Sequence, residues 1–242
     1  MCTVTLVSKN NKGFVLTSNR DEAIGRETLA ISTYEFKDKL LMFPKDQRGG
    51  GTWIAASNQQ SVICLLNGGH KNHHKKNRYR HSRGIVVTDI LQEENLSQAL
   101  QLYNCSGLEP FTLVGVTWQY KLHFYEMVWD GEKKHFRSLD TSKTYIWSSS
   151  TLYTDEMKQL RCNWFSNFNE ENELSAENLL DFHKNAGDGN SFNNLIISRE
   201  ALQTRSITQI RYINDDLQMR YEDLLEDEVY YQSFEPVKIK EA

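Results

Sequence analysis

The residue best suited to covalent chemistry in this sequence is the cysteine at position 2, which begins the stretch CTVTLV. The residues from Thr3 to Val7 are β-branched or apolar, and this pattern predicts a buried strand. Free cysteine is often packed inside proteins, so Cys2 can be a core residue. Alternatively, removal of Met1 makes Cys2 both the chain terminus and a nucleophile, whose own α-amino group accepts the thiol proton. Position alone leaves both interpretations open.

A second group of reactive side chains closes the next apolar segment, where SNRDE occupies residues 18–22. Polar residues at the end of a buried strand are either exposed to solvent or paired within a site. In a site, Arg20 favours a nearby thiolate and Asp21 orients an ammonium group. On a surface, Arg20 pairs with Asp21 or Glu22, and such exposed ion pairs are common and weak.

Glycines surround two further candidate positions. The segment RGGGTWIAAS at residues 48–57 has three consecutive glycines, which permit a tight turn or a close approach to a ligand. It is not a phosphate-binding loop, because no Lys-Ser/Thr pair follows and the next element is a predicted strand. Asn67 ends the apolar run SVICLLN and precedes two glycines. Its amide can donate to a developing oxyanion, although asparagine is also a common turn residue.

The stretch HKNHHKKNRYRHSR, at residues 70–83, concentrates basic side chains and contains no acid. A metal site needs several converging ligands, and six cations in the same stretch would repel a divalent ion. The composition therefore favours a mobile, solvated loop beside a site that receives anionic groups.

The elements that must position these residues are predicted from hydrophobic patterning. Strands are predicted at 2–7, 13–19, 51–57, 61–67, 111–118, 121–129, 134–140, 144–150, 192–198 and 202–213. A helical stretch is predicted from Arg83 to residue 104 with Ser82 as its cap, and further helices begin near Thr154 and after Ser175, the last ending at Gly187. The helix that begins near Thr154 is predicted to bury Met157, Leu160, Trp164, Phe165 and Phe168. This order predicts an α+β fold of stacked antiparallel sheets with outer helices.

Composition narrows the class of protein. The 242 residues are 39% hydrophobic and 25% charged, which is typical of a globular protein, and we expect one domain over residues 1–242. The net charge of −4 argues against a general nucleic-acid binder. We expect no transmembrane segment and no signal peptide, since no apolar run approaches the roughly 20 residues that a spanning helix needs. The four cysteines are scattered without a CxxC pair, which favours reduced thiols and a cytoplasmic location.

Taken together, the motifs resemble those of the NRDE family, which includes the eukaryotic transport-and-Golgi-organisation proteins. They are, in order, MCTVTLV, LTSNRDE, GGTWIAAS, LLNGG, HSRG and LQTRSIT. The family is similar in turn to the N-terminal-nucleophile (Ntn) amidohydrolases of the bile-salt hydrolase and penicillin V acylase type. The resemblance implies a four-layer αββα sandwich, which agrees with the predicted order of strands and helices.

The resemblance also implies roles for individual residues. The catalytic positions that it implies are Cys2, Arg20, Asp21, Asn67 and Arg205. Among these, Cys2 matches the nucleophile, Asp21 the carboxylate near it, and Asn67 the asparagine of the oxyanion hole. Ser149 stands where relatives carry an asparagine, so a second contact to the oxyanion or to the substrate is altered there. Ser149 and Trp53 are the candidate substrate-binding residues.

Two hypotheses of function follow. The first is an amidohydrolase or acyltransferase that acts on a non-peptide C–N amide bond through a thioester at Cys2, without a metal or other cofactor. The second is a binding or trafficking protein that holds an amphipathic anionic ligand, related to haem or lipid, in the same pocket without turnover. In either case we expect a small-molecule partner that is anionic or amphipathic, no nucleic acid, and an assembly that can be a homo-oligomer.

Overall fold

Fourteen strands and four helices are distributed along residues 2–10 and 12–234, the parts of the chain that the computed structural model describes, with the backbone alone at Cys2. The strands are β1 (Cys2–Lys9), β2 (Gly13–Ala23), β3 (Thr28–Phe36), β4 (Lys39–Asp46), β5 (Ile54–Ser57), β6 (Ser61–Asn67), β7 (Phe111–Thr117), β8 (His123–Trp129), β9 (Lys134–Leu139), β10 (Tyr145–Ser148), β11 (Ser198–Arg199), β12 (Leu202–Ile213), β13 (Asp216–Asp223) and β14 (Glu228–Ser233). The helices are α1 (Arg83–Leu91), α2 (Leu96–Leu102), α3 (Asp155–Glu171) and α4 (Ala176–Asn185).

The strands form two antiparallel sheets, and the N-terminal strand lies inside the first of them. Sheet one has the order β10-β1-β2-β12-β13-β14, and β11 pairs with β12. Sheet two runs in nearly sequential order, β3-β4-β5-β6-β7-β8-β9. Because β1 has a neighbour on each side, its first residues are held in register: Cys2 stands opposite Arg20, and Thr3 stands opposite Asn19 and Ser148.

Three apolar clusters divide the molecule into four layers. The two sheets pack face to face over fully buried residues such as Leu16 of β2 and Met42 of β4. Helices α1 and α2 cover the outer face of sheet two, where Val86 is buried. Helices α3 and α4 cover the outer face of sheet one, where Phe165 is buried. The predicted α+β sandwich of stacked antiparallel sheets between helices is therefore confirmed.

Side-chain caps define the helix starts. Ser82, Thr154 and Ser175 each accept a hydrogen bond from a backbone N–H of the first turn, and the sequence predicts the caps at Ser82 and Ser175. The single helical stretch predicted after Arg83 is instead two helices, because the side chain of Asn95 caps a new start at α2. Helix α4 ends at Asn185, with Ala186 in extended conformation, so the predicted end at Gly187 lies two residues too late. None of the helices in the described part of the chain is long and apolar enough to cross a bilayer.

The strand predicted at residues 192–198 is a turn-rich segment that reaches strand conformation only at Ser198. Its carbonyl groups are satisfied by side chains in place of a neighbouring strand. Arg161 Nη2 of α3 donates to the carbonyl oxygens of Asn193 at 2.9 Å and Asn194 at 2.7 Å. An apolar pattern indicates burial in a strand and in a turn-rich segment alike. Here the hydrogen-bond partners of the backbone determined which of the two forms.

Candidate active site

The side chains of the NRDE segment point alternately to the two faces of β2, as a period of two residues requires. Arg20 and Glu22 face the space between the sheets, on the side of Leu16. Asn19 and Asp21 face the helices, where Asn19 hydrogen-bonds to α4. The motif therefore places two residues in each of two environments, and Arg20 does not form an ion pair with Asp21.

Arg20 lines a cavity of about 80 Å³ between the sheets, together with Trp53 and Asn67. The structure thus brings together three of the residues that the sequence singled out, from β2, the turn before β5 and the end of β6. The guanidinium Cζ of Arg20 lies 4.5 Å from the centroid of the Trp53 ring, in a cation–π contact. The register of β1 and β2 places Cys2 directly opposite Arg20.

Asp46 and Arg26, two charged residues outside the predicted motifs, also line this cavity. Arg20 Nη2 donates to Asp46 Oδ2 at 2.7 Å and lies 3.6 Å from Glu22 Oε2. Arg26 Nε donates to the same Asp46 oxygen at 2.8 Å. Burial raises the pKa values of the Asp46 and Glu22 carboxyls, but hydrogen bonds from backbone N–H groups and the charges of Arg20 and Arg26 outweigh it and lower both. Both carboxylates are therefore ionised at neutral pH and balance the two arginines.

The glycine run and the HSRG motif meet at the wall of the cavity. Gly50 adopts a φ of 71° in the turn that follows β4. Gly51 packs backbone to backbone against the first turn of α1, where a Cβ would lie 2.3 Å from the carbonyl carbon of Gly84. The N–H of Thr52 donates to the carbonyl of Gly84 at 3.2 Å. The glycines serve a tight turn and close packing of the backbone, and this packing brings Arg83 to the cavity. The GGT and HSRG motifs are therefore the sequence features that could have identified Arg83 as a residue of the cavity.

Asn67 connects the cavity to a larger cleft of about 510 Å³, since it lines both. Among the described residues, none forms a hydrogen bond with the side-chain amide of Asn67. The backbone carbonyl of Asn67 accepts a hydrogen bond of 2.7 Å from Ser149 Oγ. The following Gly68 has a φ of 89°, and a Cβ there would lie 2.2 Å from Ser150 Oγ. The LLNGG motif thus lets the end of β6 pass closely beside the end of β10, which leaves the Asn67 amide available.

The cleft runs between β10, β8 and β9 and combines apolar and charged walls. Leu66, Ile146 and Trp147 contribute apolar surface. Trp147 Nε1 donates to Glu126 Oε2 at 2.6 Å, and Arg137 makes two hydrogen bonds to the Glu126 carboxylate, at 2.8 and 3.1 Å. This network links the edge strand of sheet one to sheet two and fixes the Trp147 ring at the cleft wall.

The basic loop at residues 70–83 borders both spaces. His70 lines the cleft, while Arg83 lines the cavity and contacts Glu109 at 3.3 Å. His73 contacts the same Glu109 at 3.3 Å, and Arg80 donates to two backbone carbonyls. The loop lies beside the candidate site, as the composition predicts, and it is anchored by these contacts.

Asp21 is fully buried on the opposite face of β2. Its carboxylate accepts hydrogen bonds from Thr204 Oγ1, at 2.7 Å, and from Tyr153 Oη. Burial raises the pKa of Asp21 above its ordinary value, while these hydroxyl groups and the charge of Arg161 act to lower it. The partners of Asp21 are thus hydroxyl groups, whereas Arg20 pairs with two carboxylates in addition to the hydroxyl of Thr28.

Arg205 and Ser149 do not line the cavity that contains Arg20. Arg205 lies at the bulge of β12, pairs with Asp223 at 3.0 Å and lines a separate pocket of about 430 Å³. Ser149 lies at the cleft, where its hydroxyl also pairs with Thr151 Oγ1 at 3.0 Å. Since Ser149 binds the carbonyl of Asn67, it supports the position of that residue.

Among the thiols whose side chains are described, two are buried and one lies at the cleft. Cys64 and Cys105 are buried, and burial raises the pKa of Cys105. Cys162 of α3 is exposed and lines the cleft, and partial burial of its thiol raises its pKa. The side chain of Cys2 lies outside the described part of the chain.

The chain was compared with known families and structures. A sequence model of the family described as Transport and Golgi organisation 2 matches residues 1–221. No curated protein sequence matches this chain significantly.

Three solved structures show the same fold. An N-acylethanolamine-hydrolyzing acid amidase ortholog from Caenorhabditis elegans superimposes with a TM-score of 0.63 and 11% identity, covering 86% of this chain and 92% of that chain. Penicillin V acylase from Agrobacterium tumefaciens superimposes with a TM-score of 0.54 and 9% identity, covering 97% of this chain and 86% of that chain. A variant of conjugated bile acid hydrolase from Clostridium perfringens superimposes with a TM-score of 0.56 and 8% identity, covering 96% of this chain and 92% of that chain. These similarities establish an Ntn-hydrolase fold, as the resemblance of the motifs implied.

Proposed function

The chain belongs to the Transport and Golgi organisation 2 family, and from this premise we propose that it is an N-terminal-cysteine amidohydrolase or acyltransferase. Met1 is removed, and Cys2 attacks a non-peptide C–N amide bond to form a thioester. The observation that carries this proposal is the register of β1 and β2. Opposite positions of an antiparallel pair share one face of the sheet, so Cys2 and Arg20 occupy the face on which the cavity lies.

The proposed reaction begins when the thiol proton of Cys2 moves to its own α-amino group. The sulfur attacks the carbonyl carbon, a C–S bond forms, and the oxyanion accepts a hydrogen bond from the free amide of Asn67. The C–N bond then breaks as the leaving amine takes the proton from the ammonium group. Water finally cleaves the thioester to a carboxylic acid and restores the thiol, whereas an acceptor amine in place of water gives a new amide.

The cleft that Asn67 shares with the cavity is the proposed substrate site. Its volume of about 510 Å³ suits a small molecule. Apolar walls beside His70 and Lys158 favour a substrate with an apolar part and an anionic group. The three structures compared above are, by name, an acid amidase, an acylase and a hydrolase, which supports an amide substrate here.

One observation favours the second hypothesis, a binding protein without turnover. The charge of Arg20, which the catalytic hypothesis assigns to thiolate stabilisation, is already shared with Asp46 at 2.7 Å and Glu22 at 3.6 Å. A guanidinium balanced in this way stabilises a neighbouring thiolate less. In this alternative, the cleft holds an amphipathic anionic ligand and Cys2 needs no free amino group.

Thiol labelling separates the two proposals. We expect the intact mass of protein purified from a host with methionine aminopeptidase to lack Met1. With sub-stoichiometric iodoacetamide at pH 7, peptide mapping should then find Cys2 labelled before Cys162, because an amino group and Arg20 favour the Cys2 thiolate. Protein that retains Met1 is the matched control and should label more slowly at Cys2. First labelling at Cys162, with Cys2 inert in processed and folded protein, would contradict the catalytic proposal.

Turnover is tested with fluorogenic N-acyl amides that carry carboxylated or neutral acyl chains. We expect release of the amine by the wild-type protein, and loss of release in Cys2→Ala with the fold preserved. Cys105→Ser is the control, since Cys105 lines neither the cavity nor the cleft, and it should retain the rate. Binding of the carboxylated amides with no amine release, in protein that lacks Met1, would favour the binding alternative.

A further inference from the structure

The surroundings of Asp21 contain a buried group that neither the family motifs nor the proposed reaction uses. Asp21 and Tyr153 are both almost completely inaccessible to solvent, and the Tyr153 hydroxyl donates to Asp21 Oδ2. Thr204 Oγ1 donates to the other carboxylate oxygen at 2.7 Å. Each oxygen of this carboxylate thus has one hydroxyl donor, one from the segment before α3 and one from β12.

Arg161 of α3 stacks on the far side of this pair. Its guanidinium Cζ lies 3.4 Å from the centroid of the Tyr153 ring, and the residue is fully buried. Nη2 donates to two backbone carbonyls, while Nε and Nη1 have no hydrogen-bond partner among the described residues. A buried arginine needs a compensating negative charge. Asp21 supplies one across the Tyr153 ring, since the charge of Arg161 acts on the Asp21 carboxyl.

The register of sheet one shows which part of Cys2 lies nearest to Asp21. Cys2 stands opposite Arg20, and Asp21 follows Arg20 on the antiparallel neighbour. Because β1 and β2 run in opposite directions, the step from Arg20 to Asp21 along β2 leads toward the amino side of Cys2. The amino side of Cys2 is thus directed along β1 toward the Asp21 position.

We propose that Tyr153 and Arg161 are positioning residues that hold Asp21 as a charged acceptor for the amino group of Cys2, a role that rests on the proposed function. Tyr153 fixes one carboxylate oxygen by its hydroxyl, and Arg161 fixes the Tyr153 ring by stacking. Helix α3 is in this way coupled to the end of β2. The two residues act through Asp21.

The charges that face Asp21 determine the sign of the expected effect. Tyr153 and Arg161 face it from α3 and the segment before it, Thr204 faces it from β12, and Arg199 of β11 lies 5.6 Å from the Tyr153 ring. Burial raises the pKa of Asp21, and the hydroxyl of Tyr153 counteracts this rise. Without that hydroxyl the pKa rises further, so the charged acceptor is lost at a higher pH.

The test is the pH profile of iodoacetamide labelling at Cys2 in protein that lacks Met1. In Tyr153→Phe, we expect the acidic limb of the profile to move to higher pH and labelling at pH 6 to slow about tenfold, as removal of a hydrogen bond to a charged group predicts. Thr204→Val removes the other hydroxyl donor and should move the profile in the same direction. Tyr212→Phe removes the hydroxyl that donates to Asp215 on the same sheet, and this control should leave the profile unchanged.

The outcomes distinguish this inference from the proposed function. Slower labelling in Asp21→Asn, together with an unshifted profile in both Tyr153→Phe and Thr204→Val, overturns the positioning role and leaves the nucleophile proposal intact. Fast labelling of Cys2 that is insensitive to Asp21→Asn also overturns the positioning role. Inert Cys2 in folded wild-type protein overturns both. A thermal melt of each variant shows whether the fold is kept, because a merely structural role lowers the melting temperature without shifting the profile.

Discussion

Strand β2 presents Arg20 and Glu22 to the cavity between the sheets, and Asn19 and Asp21 to the helices outside, and the two faces neutralise charge differently. On the cavity face, arginines and carboxylates compensate one another at distances from 2.7 to 3.6 Å. On the helix face, hydroxyl, amide and imidazole groups carry the hydrogen bonds. The same four-residue motif thus supports ion pairs on one side and, on the other, a network of hydrogen bonds made by neutral hydroxyl, amide and imidazole groups.

The hydrogen-bond network on the helix face is completed by a buried histidine. His183 Nδ1 lies 2.6 Å from Asn19 Oδ1, and Nε2 lies 2.8 Å from Thr5 Oγ1. Asn19 Nδ2 already donates to two carbonyls, so Asn19 Oδ1 accepts and His183 Nδ1 carries the proton. Complete burial lowers the pKa of His183 to about 3. Burial therefore favours the neutral form of His183, whereas on the cavity face ion pairs keep Glu22 and Asp46 charged.

The largest expected effect comes from breaking the ionic face. Arg20 is 2% exposed, and Arg20→Met leaves the buried Asp46 and Glu22 without their main cation. We expect a loss of about 3–5 kcal/mol in the free energy of unfolding, as for other buried pairs that lose one partner. Urea denaturation at pH 7 measures it. A loss below about 1 kcal/mol would show that Arg26 alone compensates both carboxylates, and the contrast between the faces would disappear.

A smaller effect is expected from His183, and it depends on pH. The folded-state pKa of about 3 lies below the unfolded value near 6.5, so only the unfolded state binds a proton between these values. Stability from neutral His183 is complete above pH 6.5 and declines as the pH falls toward 3, at about 1.4 kcal/mol per unit.

The measurement compares wild-type protein with His183→Gln, which does not titrate. Between pH 7 and pH 4.5, the wild type should lose about 2–3 kcal/mol more than the variant. Parallel pH curves for the two proteins would show that His183 is protonated in the folded state, and the helix face would then contain a charged imidazole as well.

The smallest expected effect comes from Arg26, which contacts the same Asp46 oxygen as Arg20 but is one-third exposed. Solvent screens an exposed charge, so we expect Arg26→Gln to lower the free energy of unfolding by about 1 kcal/mol or less. The same urea experiment measures it, and raising the salt concentration should shrink the difference. An effect as large as that of Arg20→Met would show that burial does not set the strength of this ion pair.

How much of the fold the sequence predicts depends on the kind of element. The strand at 202–213 and the caps at Ser82 and Ser175 follow local rules, and the structure confirms them. Strands β3, β4, β13 and β14 were missed. Strand β4 contains Pro44, which lies at the irregular register between β3 and β4, where a missing N–H is tolerated.

Helix α3 shows where periodicity alone fails. Its apolar pattern predicts that Leu160 is buried, yet Leu160 is 37% exposed and its neighbour Arg161 is fully buried. A buried arginine requires acceptors and a ring to stack on. These come from residues 193–194 and from Tyr153, which are remote in sequence or outside the helix.

The sequence by itself determined that Arg20, Asn67 and Trp53 belong near one site, that Cys2 starts a strand, and that sheets stack between helices. The strand and the stacking follow from strand periodicity and the order of the elements, whereas the grouping of Arg20, Asn67 and Trp53 follows from the resemblance of the motifs to those of the NRDE family. Only the tertiary structure decided which partner each charge has. The pairing of Arg20 with Asp46, and of Asp21 with Tyr153 and Thr204, joins segments that are from 26 to 183 residues apart. Burial and partner geometry, which fix protonation and charge at a site, arise only when those segments pack together.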